Sequence, residues 1–256
     1  IEGLIYGNVS ESQARVNTDL FTEILKIKPE IWKKVIHQGR LDFTAGEDIT
    51  QVLKTQVNNS CLWRLQYFGE NSIEEAAQAQ VIGNFVGSPF YLEMRTNQQL
   101  GYIVWGGAAS AEKSSYFYFI IQSGNHPAEY LANQAEQFSL TLPDSLRQLP
   151  EEDFLAIKNS VIEKIKEKPT SIEEQAGKYY TMAFDYNGNF NRNEELIQAV
   201  ENLTREKSVE VLAKVLANET LERATVLLYA KEHNVGENIK SSFDSINQWK
   251  NTRKYQ

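Results

Sequence analysis

The apolar side chains change their spacing between residues 61 and 85. Cys61, Trp63, Leu65 and Tyr67 fall on every second residue of CLWRLQYF, the period of a strand with one buried face. Ala77, Val81 and Phe85 then fall on every fourth residue, the period of a helix that buries one stripe. The same switch recurs along the chain. A short apolar run at Gly3–Gly7 reads as a strand, and Ser10 with Gln13 forms a capping box for a helix running to about Ile27. Ile49, Leu53 and Val57 mark another strand, and the Asn58-Asn59-Ser60 turn predicts that it pairs antiparallel with the strand carrying Cys61. Ser72 with Glu75 opens the next helix, which Gly87-Ser88-Pro89 is expected to break before a second helical piece from Pro89 to Leu100. Strands follow at Tyr102–Trp105 and Ser115–Gln122.

The remainder is mostly helical. Leu131, Ala135, Phe138 and Leu142 form one stripe, and Phe154, Ile157, Val161 and Ile165 another. Ser171 with Glu174 caps a further helix, and a last strand spans Arg223–Tyr229. The order β-α-β-β-α-β-β, several helices, then β predicts an α+β fold: an antiparallel sheet with helices packed on one face. Residues beyond Asn234 are polar and read as a peripheral tail, so the expected domain is 1–232, opened by a strand within 1–8, with the tail at 233–256.

Composition narrows the function. The chain carries a net charge of -8 and no long Lys/Arg run, which argues against nucleic acid as a partner. No run of about 18 apolar residues is present, so a soluble protein without membrane contact is expected. One cysteine, Cys61, rules out an intramolecular disulfide and a cysteine-based zinc site; it fits the cytoplasm and a bacterial periplasm equally. The opening IEGLIYGNVSES has no basic segment ahead of its apolar residues and reads like the interior of a longer chain.

Chemistry has few places to sit. The histidines are His37, His126 and His233, and only His126-Pro127-Ala128-Glu129-Tyr130 approaches a metallopeptidase run. An inverted zincin needs H-x-x-E-H, two imidazoles one helical turn apart, and Tyr130 stands where the second would be. That run reads as a helix start capped by Asn125 or His126, with Pro127 in the first turn. His37 and His233 read as surface histidines, and Cys61 as a small apolar strand residue. Glu74-Glu75 and Glu151-Glu152-Asp153 fall in first helical turns, where carboxylates complement the helix dipole. Gly101, Gly106 and Gly107 precede no helix and make no phosphate cradle. The run YFYFII reads as a core strand with both faces covered, or as a strand edge that receives an extended peptide.

What remains is EMRTNQQLGYIVWGG at 93–107. Arg95 stands at the end of a helix and Tyr102 at the start of a strand, with Gly101 fitting the helix terminus. Read alone, Arg95 reaches solvent or pairs with Glu93, and Tyr102 is a core aromatic with a wet hydroxyl. The stretch Leu92–Val104, however, resembles a signature of the insulysin/pitrilysin family of inverted-zincin (M16) peptidases, close to L-R-T-x-x-Q-L-G-Y-x-V. Met94 replaces the leucine. Further on, YFYFIIQS at 116–123, PEEDF at 150–154, KEKPTSIEEQA at 167–176 and YNGNFNRNEEL at 186–196 are similar to the family in kind and order.

The resemblance implies an M16-type (LuxS/MPP-like) domain, the last of four in a clamshell-shaped zinc endopeptidase of peptide substrates. It implies a zinc held by H-x-x-E-H in an N-terminal half, no metal bound by this chain, and no peptidase activity for this chain alone. It implies that Arg95 and Tyr102 are the catalytic, substrate-binding donors, gripping carbonyl oxygens of the peptide backbone near the scissile bond. Gln98, Gln99 and Gly101 are expected to support them. A non-catalytic scaffold or processing-complex subunit of the same fold is the alternative the resemblance allows.

Overall fold

A computed structural model describes residues 3–26, 43–111 and 114–253. Their contacts divide the chain into two compact units: residues up to 26 with 167–192, and the rest. In the smaller unit, helix α1 (Glu11–Leu25) begins at Ser10, whose side chain accepts from the Gln13 amide while Gln13 reaches back to the Ser10 amide, the reciprocal cap expected. Residues 3–7 form no strand.

In the larger unit the elements run β1 (Glu47–Lys54), β2 (Ser60–Glu70), α2 (Ile73–Tyr91), β3 (Ile103–Ala111), β4 (Ser114–Ser123), α3 (Ala128–Gln148) and α4 (Glu151–Lys166). After α5 (Ile172–Tyr180) of the smaller unit come α6 (Arg192–Asn202), α7 (Arg205–Leu216), β5 (Glu222–Tyr229) and a short α8 (Ile246–Asn251). Ser72 and Ser171 cap α2 and α5, each accepting from the amide of the glutamate three residues on.

The five strands form one mixed sheet in the order β1-β5-β2-β4-β3. The expected β1–β2 pairing does not occur. The turn does reverse the chain, but β5 inserts between the two strands, parallel to β1 and antiparallel to β2. Cross-strand contacts drawn from 160 residues away leave no mark on the local pattern that suggested a hairpin.

One sheet face carries the core. Leu62 and Phe68 of β2, Val104 of β3, Phe117, Phe119 and Ile121 of β4 and Leu227 of β5 are buried together with Val81, Phe85 and Phe90 of α2 and Leu131 and Leu142 of α3. The opposite face is less covered: Trp63 and Trp105 are exposed, and Tyr116, Tyr118 and Ile120 are half-buried. The run YFYFII is thus a core strand covered fully on one face only. It is also not an edge, since β4 pairs with β2 on one side and β3 on the other.

Helix α2 lies directly over β3. A Cβ at Gly83 would stand 2.4 Å from that of Ala108, so the approach requires glycine there. Gly87 and Pro89 do not break this helix, which runs on to Tyr91.

An ion network ties the sheet to α3. Arg64 Nη1 donates to Glu136 Oε2 at 2.7 Å, Arg223 Nη1 donates to the same oxygen, and Arg223 also grips Asp48. Burial, and then the neighbouring Arg223, push the Arg64 guanidinium down to about 10. The C-terminal segment, polar as expected, is tied to the outer strand: Ser242 N donates to Thr50 O at 2.7 Å, and the amides of Thr50 and Val52 donate to Ser242 and Ser241 Oγ.

Candidate functional site

The site is the passage from α2 into β3. After Tyr91 the helix widens into a π-turn over Leu92–Asn97. Such a turn is uncommon and frequently functional, because the extra residue re-aims the side chains that follow. Two buried residues anchor it. Met94 and Leu100 are 0% and 2% exposed, and the Leu100 amide donates to Met94 O at 2.9 Å.

The reversal is made by Gln99, not Gly101. Gln99 takes the left-handed conformation, at φ 53. Gly101 serves a different need: a Cβ there would lie 1.8 Å from Gln122 O, inside the van der Waals radius of the β4 backbone. Only glycine lets the chain cross the end of β4 so closely.

Glu93 is the latch of the turn. Its two oxygens accept from Asn97 Nδ2 and Gln98 Nε2, both at 2.8 Å. These bonds, Gln98 first, hold its carboxyl below the usual carboxylate range. The carboxylate is therefore taken, and Arg95 does not pair with it. Instead Arg95 Nη1 donates to Gly101 O at 2.7 Å, and its guanidinium carbon sits 5.0 Å from the Tyr102 ring centroid.

The structure thus brings Arg95 and Tyr102 together. One arm of the fork is fixed to the backbone, and the rest points free beside a phenol on a ring that is 83% exposed. Tyr102 is no core aromatic. Chemically, the pair offers donors to an incoming oxygen, with Arg95 held to the backbone at Gly101 O. The sequence pattern had no signal for the π-turn or the Glu93 latch, since both depend on how the amides of Asn97 and Gln98 fold back.

The described residues do not fit a zinc site. The His126 ring stacks on Tyr130 with centroids 4.8 Å apart, and His233 Nδ1 is 2.8 Å from Ser60 Oγ. Among the described residues no three His, Cys, Asp or Glu side chains are grouped to hold a metal. His37 lies outside the described residues. At the start of α3 neither Asn125 nor His126 caps the helix. Pro127 holds that position, and Ser123 Oγ accepts from the amides of both preceding residues. Cys61 is half-buried on β2, where burial pushes its thiol up. None of the described helices is long and apolar enough to cross a membrane.

The profile of the family described as PQQ synthase PqqF-like, C-terminal lobe domain 4, matches residues 81–180, which contain the whole of this passage. The insulin-degrading enzyme of Drosophila melanogaster is 24% identical over 251 residues, 96% of this chain and 25% of that protein. The crystal structure of pitrilysin superposes with a TM-score of 0.75 at 19% identity, covering 98% of this chain and 27% of that one. A structure titled peptidase M16 inactive domain, from Pseudomonas fluorescens, matches with a TM-score of 0.64 at 15% identity over 90% of this chain and 53% of that one. The fold is that of the M16 peptidase domains named above, and the sequence is similar to theirs. The part of the chain that matches a family model matches one described as a C-terminal lobe domain, and the chain spans about a quarter of the length of the curated relative it matches.

Proposed function

We propose that this domain is the substrate-contacting, C-terminal part of an M16 zinc metalloendopeptidase. In this reading Arg95 and Tyr102 donate hydrogen bonds to the backbone of a peptide held against a zinc site in another part of a longer polypeptide. The zinc implied by the family is bound outside the described residues, whose own donors do not suit it. The chain's part in the reaction is to hold and orient the peptide, and to place donors where negative charge grows on a carbonyl oxygen.

The observation that carries this reading is the clamp on Arg95. A guanidinium tied by Nη1 to Gly101 O and lying beside an exposed phenol is pre-organised, so little freedom is lost when a peptide oxygen arrives. A side chain serving only solubility has no need of such bracing. The relatives named above as peptidases are consistent with it.

Kinetics of the longer polypeptide test this. Arg95→Ala and Tyr102→Phe should each lower kcat/KM for a peptide by roughly 10- to 1000-fold, with loss in kcat as well as KM, as for removal of a transition-state donor. Near-wild-type kinetics for both variants would overturn it. That result would favour a non-catalytic role, the reading to which the structural likeness to an inactive M16 domain points.

A further inference from the structure

The two edges of the sheet are treated differently. The β1 edge carries Glu47, Asp48 and Lys54, and the C-terminal segment bonds to the amides of Thr50 and Val52. The β3 edge has neither protection. Its sequence, IVWGGAASA, holds no charged residue and no proline, and among the described residues it pairs with β4 alone. Long uncharged edges attract further strands, and proteins normally guard them.

A groove of about 450 Å³ runs beside this edge. Gly106 to Ser110 line it consecutively, so it touches residues of both pleat directions and follows the margin of the strand. Val161, Lys164 and Ile165 of α4 form part of the opposite wall. Gly106 has a packing reason, because a Cβ there would stand 2.7 Å from Phe90. Gly107 has none: a Cβ there would meet the Tyr118 ring and hydroxyl and Gly83 O of α2 only at ordinary distances of 3.4–3.7 Å. A glycine that packing does not require, on an open edge, marks a place where another backbone approaches.

We propose that the outer edge of β3 binds an extended peptide segment by strand addition, its main chain bonded to alternate residues between Trp105 and Ser110. The occupant is unfolded peptide, apolar where its side chains meet Ile165, and acidic next to Lys164. Tyr102 immediately precedes the same strand, about 10 Å from Trp105 at ~3.3 Å per residue. A peptide bound along β3 is thereby led toward the Arg95–Tyr102 corner. The inference rests on the proposed function only in taking that peptide to be the substrate.

The test is a titration of the isotope-labelled chain with a decapeptide of alternating Val and Thr carrying one Glu, followed by amide NMR and hydrogen exchange. Amides at alternate positions in Trp105–Ser110 should shift and exchange at least about ten-fold more slowly. The same peptide N-methylated on alternate residues should bind at least about ten-fold more weakly, since it lacks those donors. Three results would overturn the proposal: no response in β3 at peptide concentrations of several millimolar, equal binding of the N-methylated peptide, or protection of β3 by self-association without peptide. Responses confined to Arg95 and Tyr102 sink strand addition and leave the donor reading standing. A β3 response combined with unimpaired turnover of Arg95→Ala does the reverse.

Discussion

Gly101→Ala is the sharpest perturbation of the passage into β3. The added methyl would start 1.8 Å from Gln122 O, and the atom it meets is backbone, not the yielding end of a side chain. Non-bonded carbon and oxygen need roughly 3 Å or more, so the passage or the end of β4 must move by on the order of 1 Å. Overpacking of this kind costs about 1–3 kcal/mol, and a backbone obstacle belongs at the top of that range. At ~2–4 °C per kcal/mol for a chain of this size, the thermal midpoint should drop by about 5–10 °C. The same movement separates Tyr102 from the Arg95 fork. In the longer polypeptide a displacement of ~1 Å costs turnover on the order of 100-fold. Circular dichroism melting of the purified chain measures the first effect and peptide cleavage the second. A variant with an unchanged midpoint and unshifted amide signals at Gln122 and Tyr102 would refute the claim that close approach is why glycine stands there.

Other perturbations test the supports. Because its folded-state pKa is depressed, Glu93 contributes stability that is present above about pH 4.3, the unfolded carboxylate value, and is lost as pH falls through the folded value. The side-chain amide signals of Asn97 and Gln98 should therefore hold down to about pH 4.3 and change only below it; a transition centred higher contradicts the latch. Glu136→Ala leaves the guanidiniums of Arg64 and Arg223 facing each other across β2 and β5, Arg64 being 5% exposed. With Glu136 itself partly exposed, a loss of about 1–3 kcal/mol is expected in denaturant unfolding, and Arg64→Met with Glu136→Leu should recover much of it. Equal stability of Glu136→Ala and the wild type would show the network to be energetically idle.

Local chemistry was readable in the sequence and long-range pairing was not. Ser10, Ser72 and Ser171 cap the helices they were expected to cap, because an N-cap bond spans only three residues. β1 and β2 were expected as neighbours because a turn joins them; the strand between them arrives from residues 222–229. Gly87-Ser88-Pro89 looked like a break. Pro89 instead lies near the end of α2, just before the π-turn, and the glycines of α2 serve its close contact with β3. Arg95 and Tyr102 were singled out by resemblance to a family signature. Their spacing alone left Arg95 free to pair with Glu93 and Tyr102 free to be buried. Which of these holds depends on Asn97 and Gln98 occupying Glu93, and on Gln99 turning the chain so that Tyr102 faces outward.

The most direct test is a structure of the longer polypeptide with an uncleavable peptide bound. The account predicts backbone carbonyl oxygens of that peptide within about 2.7–3.2 Å of the free guanidinium nitrogens of Arg95 and of Tyr102 Oη, with Arg95 Nη1 still on Gly101 O. A peptide seated elsewhere, with both side chains facing solvent, would contradict it.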